Sequence, residues 1–177
     1  PGLDALVSRA LNDQAIVPAG TLPPVSDVTP LEAQIRDHEG IVLDVRWSPD
    51  GSRLASGSDD RTTRVFDATT GETILVLRTE GKTQGVAWSP HDGGKHIAAA
   101  TDCGRLHVFD SATGVQVDFD FDAPPPPFDA GYNRGYRTVA WSPDGARLAV
   151  GTGSGAVCAW DATKGGAPVS VIDDAHE

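Results

Sequence analysis

A pentapeptide, Trp47-Ser48-Pro49-Asp50-Gly51, comes back twice in this chain. The second copy is Trp88-Ser89-Pro90-His91-Asp92-Gly93 and the third is Trp141-Ser142-Pro143-Asp144-Gly145. A small apolar run follows each copy: Leu54-Ala55-Ser56-Gly57, Ile97-Ala98-Ala99-Ala100 and Leu148-Ala149-Val150-Gly151. Each run leads to an aromatic–aspartate pair, Phe66-Asp67, Phe109-Asp110 or Trp160-Asp161. A turn of small residues closes each unit, at Ala68 to Gly71, Ser111 to Gly114 and Ala162 to Gly165. Four features in one order, three times over, demand a repeat architecture.

The tryptophans stand 41 and 53 residues apart, and the aromatic–aspartate pairs 43 and 51. The second interval is longer because residues 120–135 carry an insertion. A period near 40–45 with four short strands per unit is that of a propeller blade. In the first unit the strands read as Ile41 to Trp47, Arg53 to Ser58, Thr62 to Phe66 and Glu72 to Leu77. Val45 and Trp47 alternate with polar Asp44 and Arg46, the period-2 pattern of a half-buried strand. Ser-Pro-Asp-Gly between strands is a turn, because proline presets φ and glycine accepts a positive φ.

These residues resemble the WD-repeat β-propeller family, over roughly residues 37–177. His38, nine residues before Trp47, falls where that family has its histidine; Asp60, six before Phe66, falls where it has its turn aspartate. The resemblance implies an all-β fold of four-stranded antiparallel blades. Three blades are expected, at about 37–78, 79–130 and 131–173. It also implies a structural hydrogen-bond network of histidine, serine, aspartate and tryptophan. In this chain those residues are His38, Ser56, Asp60 and, in the third unit, Trp160. A buried imidazole and a buried carboxylate each need a partner, and each supplies one for the other. Phe66 stands where the first unit would have tryptophan, so its network is shortened. The second unit has Thr79 for the histidine and Cys103 for the aspartate, with Asp102 one residue earlier. The third has Gly131-Tyr132 for Gly-His and Ser154 for the aspartate.

Residues 1–36 lack the repeat and form an N-terminal extension. Leu3, Leu6, Val7, Ala10 and Leu11 lie at helical spacing, which predicts a short amphipathic helix ending before Pro18. Pro18 to Pro24 reads as irregular chain. At the other end, His176-Glu177 repeats His38-Glu39, as the start of a fourth blade would. The chain opens on Pro1 and contains no methionine. Propellers close with roughly four to eight blades. The expectation is therefore an incomplete ring, completed by further chain or by another subunit.

The insertion begins with Val115, Val117, Phe119 and Phe121 alternating with Gln116, Asp118, Asp120 and Asp122. This predicts a strand with one wet face. Pro124 to Pro127 then form a stiff extended rod. Phe119, Phe121, Phe128 and Tyr132 make the insertion a candidate partner-binding loop. Its carboxylates fall short of a calcium cage, which takes six or more oxygens.

No catalytic, cofactor-binding or metal-ligating set is expected. His38, Ser56 and Asp60 are the residue types of a hydrolase triad, but no nucleophile-elbow pattern accompanies them. Gly151 to Gly155 lacks the Lys-Ser/Thr of a phosphate loop and reads as an inter-strand turn. Net charge is −11, a poor match to a nucleic-acid backbone. No apolar run reaches the length of a membrane span, and no signal-peptide pattern opens the chain. Cys103 and Cys158 sit at non-equivalent places, which fits an intracellular, cytoplasmic setting. The leading reading is a non-catalytic protein–protein interaction scaffold, part of a larger propeller or complex. The alternative is a regulatory or sensor propeller segment of a larger multidomain enzyme. Periplasmic propellers share Ser-Pro-Asp-Gly, but the aromatic-Asp-x-x-x-Gly ending disfavours them. The resemblance also disfavours a ubiquitin-ligase substrate receptor, because Thr69, Ala112 and Thr163 stand where such receptors carry arginine.

Overall fold

The computed structural model describes residues 35–91, 93–117 and 135–172. All regular structure among them is β. The predicted N-terminal helix, the residues Phe119, Phe121, Phe128 and Tyr132, and the His176-Glu177 ending lie outside the described residues.

Among the described residues eleven strands form three antiparallel sheets. The first sheet contains β1 (Val42–Trp47), β2 (Arg53–Ser58), β3 (Thr62–Asp67) and β4 (Thr73–Arg78), paired in that order. The second contains β5 (Thr83–Trp88), β6 (His96–Thr101) and β7 (Leu106–Asp110). The third contains β8 (Tyr136–Trp141), β9 (Arg147–Thr152), β10 (Val157–Asp161) and β11 (Ser170–Ile172). The alternation expected after Val115 produces less pairing than a full strand within the described residues. Gln116 bridges to Phe109 and the amide of Val117 donates to the carbonyl of Val108, but Val115 is 64% exposed.

The repeated turn explains why β1 and β2 form a hairpin. Ser48 Oγ accepts the amide of Arg53 at 2.9 Å and donates to Asp50 Oδ1 at 2.6 Å. Gly51 takes φ +72° with its amide on the carbonyl of Ser48, a conformation glycine reaches without strain. The third copy repeats the geometry: Arg147 N to Ser142 Oγ is 2.9 Å, Ser142 Oγ to Asp144 Oδ1 is 2.5 Å, and Gly145 has φ +67°. Asp67, Asp110 and Asp161 then close the outer turns by accepting backbone amides two or three residues on.

Register sorts the side chains into two faces per sheet. On the leading face, Trp47, Leu54 and Phe66 stand in one row. The equivalent rows are Trp88, Ile97 and Phe109, and Trp141, Leu148 and Trp160. On the trailing face the rows are small apart from the exposed Arg46: Arg46, Ala55 and Val65; Ala87, Ala98 and Val108; Ala140, Ala149 and Ala159. The trailing face of one sheet packs on the leading face of the next. Ala55, Val65 and Leu77 meet Val86, Trp88, Ile97, Ala99 and Phe109 in one core. Ala87, Ala98, Ala100 and Val108 meet Val139, Leu148, Val150 and Trp160 in the other. Large against small lets the sheets interlock, and each fully buried Val, Ile or Leu contributes about 1.5–3 kcal/mol.

The inner strands approach closely. A Cβ on Gly85 of β5 would lie 2.9 Å from the Cα of Thr138 on β8, so only glycine leaves room for this contact.

Candidate functional site

His38 lies in the segment leading to β1, Ser56 in mid-β2, and Asp60 in the turn between β2 and β3. The pairing of β1 with β2 brings the three together. His38 Nδ1 is 2.8 Å from Asp60 Oδ2, and Nε2 is 2.6 Å from Ser56 Oγ. The carboxylate can only accept, so Nδ1–H donates to Asp60, and Nε2 pairs with the Ser56 hydroxyl. Asp60 also accepts the amide of Glu39 at 3.1 Å, the amide of Thr62 at 2.9 Å and the Thr62 hydroxyl at 2.6 Å. Burial pushes its pKa up, but the bonds from Thr62, His38 and Glu39 outweigh this and hold it at about 2. Trp160 is not part of this cluster. It lies on β10 in the third sheet, fully buried, edge-on to Tyr136.

Histidine, serine and aspartate in this order suit acyl transfer only if the hydroxyl can reach a substrate. Ser56 is 3% exposed and sits between paired residues of β1 and β3. The geometry ties the entry of the chain to the first sheet. The other units fasten the equivalent turns differently. Asp102 accepts the amide of Lys82 at 2.9 Å, and Thr101 Oγ1 bonds Cys103 Sγ at 3.1 Å. In the third unit Thr152 Oγ1 bonds Ser154 Oγ at 2.9 Å. Thr79 Oγ1, at the histidine position of the second unit, lies 3.1 Å from Thr83 Oγ1.

Two concave surfaces stand out. One, of about 470 Å³, runs along the leading face of the first sheet, where Ile35, Val45, Leu54 and Phe66 are among its lining residues. The other, of about 450 Å³, lies where the ends of β1, β5 and β8 converge. Arg46, Trp47, Pro49, Trp88, Pro90 and Trp141 contribute to its wall. Trp47 is 53% exposed, whereas Trp88 is 8% exposed. Trp88 owes its burial to the first sheet: its Nε1 donates to the carbonyl of Arg46 at 3.2 Å, and the Arg53 guanidinium lies 4.8 Å above its ring. His96, the counterpart of Arg53 in the second unit, stacks on Trp141 at 6.5 Å. The sequence reading passed over this groove and these stacked pairs. A signal was present in the residue before each apolar run, Arg53, His96 or Arg147, set against the tryptophan of the next unit.

Among the described residues no group of three or more His, Cys, Asp or Glu side chains is placed to hold a metal ion. No helix among them is long and apolar enough to cross a membrane.

The family model of the WD domain, G-beta repeat, matches residues 30–67 and 131–161. The chain is 32% identical over 128 residues to Protein tipD of Dictyostelium discoideum, a match covering 71% of this chain and 20% of that protein. It is 30% identical over 115 residues to the ribosome biogenesis protein BOP1 homolog of Monosiga brevicollis, covering 58% of this chain and 14% of the relative. The Drosophila melanogaster BOP1 homolog is 36% identical over 100 residues, covering 54% and 13%. The chain thus spans a fifth or less of the length of these relatives.

Proposed function

Since this chain belongs to the WD-repeat family, whose repeats build interaction scaffolds, we propose that it is a non-catalytic protein–protein interaction scaffold that works as part of a larger propeller or complex. The observation that carries this reading is the groove at the converging ends of β1, β5 and β8. All three sheets contribute to it, so it exists only in the stacked assembly. Exposed Trp47 and Arg46 supply the residue types that dominate protein interfaces. The partners are proteins, with no nucleic acid and no membrane. A net charge of −11 favours basic protein surfaces over a phosphate backbone. Further sheets, from more chain or from another subunit, complete the ring. The names of the BOP1 relatives favour an intracellular setting. The pathway does not carry over, because relatives with unlike names match at similar identity over a small part of their length. Blade limits near 37–78, 79–130 and 131–173 and a recognition role for Phe119, Phe121, Phe128 and Tyr132 remain part of the proposal.

The test is affinity capture from native extract with the wild-type chain and the double variant Arg46→Glu, Thr138→Glu. Both side chains are exposed at the groove, so the fold should survive. The expected result is loss of specific protein partners with an unchanged melting temperature. An unchanged partner set on a folded variant would overturn the groove as the docking site.

A further inference from the structure

The face that the second sheet turns to the first carries a buried imidazole. His107 on β7 pairs with Ala99 of β6, which pairs with Val86 of β5. Paired residues share a face, and Val86 and Ala99 pack in one core with Ala55, Val65 and Leu77 of the first sheet. His107 stands on that face and is 6% exposed. Its ring lies 6.0 Å from that of Phe109, with the planes 16° apart. Nδ1 is 3.3 Å from Gln116 Oε1. An amide oxygen only accepts, so Nδ1–H donates and, in the neutral ring, Nε2 carries no proton. Nε2 is buried and meets no hydrogen-bond partner among the described residues. The second proton of an imidazolium would enter at this atom, as a donor without an acceptor.

The surroundings do little for that charge. The first-sheet residues in this core, Ala55, Val65, Leu75 and Leu77, are uncharged. The charged groups acting on the ring are Glu80, in the segment after β4, and Arg105, next to β7. They pair with each other at 3.2 Å and are mostly exposed. Burial pushes the imidazole pKa below its ordinary 6.5; Gln116 and Glu80 act upward, Arg105 acts downward, and burial prevails. By register the equivalent positions hold Arg64, paired with Ser56, and Cys158, paired with Val150. A guanidinium keeps its charge and a thiol gains none in acid, so in this row only the second sheet carries a group that becomes charged between about pH 5 and 8.

We infer that His107 is an acid-sensitive fastener between the first and second sheets: neutral, it packs as part of their shared core, and protonation loosens that core while the core between the second and third sheets stays closed. The unfolded chain takes up this proton near the ordinary 6.5, and the folded chain only at lower pH. The contribution to stability is therefore fully present above that value and is lost as pH falls below it. A state in which the first sheet has parted from the second exposes the ring and binds the proton. Acid favours that state by up to about tenfold per pH unit, the limit for one proton.

Native-state hydrogen exchange on the full chain, corrected for intrinsic rates and run from about pH 8 to 5, tests this. The amide of Val86 is the reporter, because it crosses the interface to Asp44 Oδ2 at 3.0 Å. In wild type its protection should fall with pH by up to about tenfold per unit, and by more than that of the β9 and β10 amides. His107→Phe and His107→Gln remove the titration and should each abolish the extra loss. A ring titration of wild-type His107 by NMR, which needs no variant, should give a midpoint below 6.5. A midpoint at or above that value would overturn the inference. So would the same loss at Val86 in a folded variant, or equal losses in wild type at Val86 and in β9 and β10.

Discussion

Asp60 is held by more hydrogen bonds than any other carboxylate described. Its two oxygens serve the imidazole of His38, the amides of Glu39 and Thr62, and the hydroxyl of Thr62. Asp60→Ala leaves those donors unsatisfied in a place where water is largely excluded, and should cost about 1–3 kcal/mol. Thermal melting checks this, and equal melting temperatures would contradict it. The same bonds give a pH dependence. A carboxylate held at about 2 when folded, against an ordinary value near 3.8, favours the folded state above pH 4. That contribution, on the order of 2 kcal/mol, is lost as pH falls from about 4 to 2. Urea midpoints across this window should fall for wild type and fall less for Asp60→Asn. His38 and Asp60 were legible in the sequence through the resemblance to the WD-repeat family, whose histidine and turn aspartate fall at these distances from Trp47 and Phe66. Trp160 could not be placed by the same logic. It shares the family position but lies two sheets away, and order along one repeat says nothing about contact between repeats.

At the scale of elements, the strands were legible because period 2 and a Ser-Pro-Asp-Gly turn are local signals. The strand read from Ile41 runs from Val42, and that read from Glu72 runs from Thr73. The stacking was not legible in one repeat. It depends on which face of a sheet is small and which is large, and this emerges only when register aligns Ala55 with Val65 and Trp47 with Leu54. The pairing of Arg53 with Trp88 joins residues 35 apart in sequence, on different sheets. Gly85 shows how tightly the elements meet. Gly85→Val places a branched side chain against the backbone of Thr138, pushing β5 from β8. A cost of about 1–3 kcal/mol is expected from such overpacking. Chemical denaturation reads it, and a variant as stable as wild type would show that the inner strands separate freely.

At the largest scale, among the described residues, two cores joined through β5–β7 make one continuous stack from β1 to β10. The groove that carries the functional proposal needs all three sheets in place, so its integrity reports on the stack itself. The strand ends at Trp47, Trp88 and Trp141 lie at one end of the sheets, and the turn containing Ser154 lies at the other. A photo-reactive residue installed at Arg46, in the groove, therefore tests the central claim most directly when compared with the same residue at Ser154. After irradiation in native extract, the scaffold account expects discrete protein adducts from position 46 and few from position 154. Equal adducts from both positions, or none from position 46 on a folded chain, would contradict it.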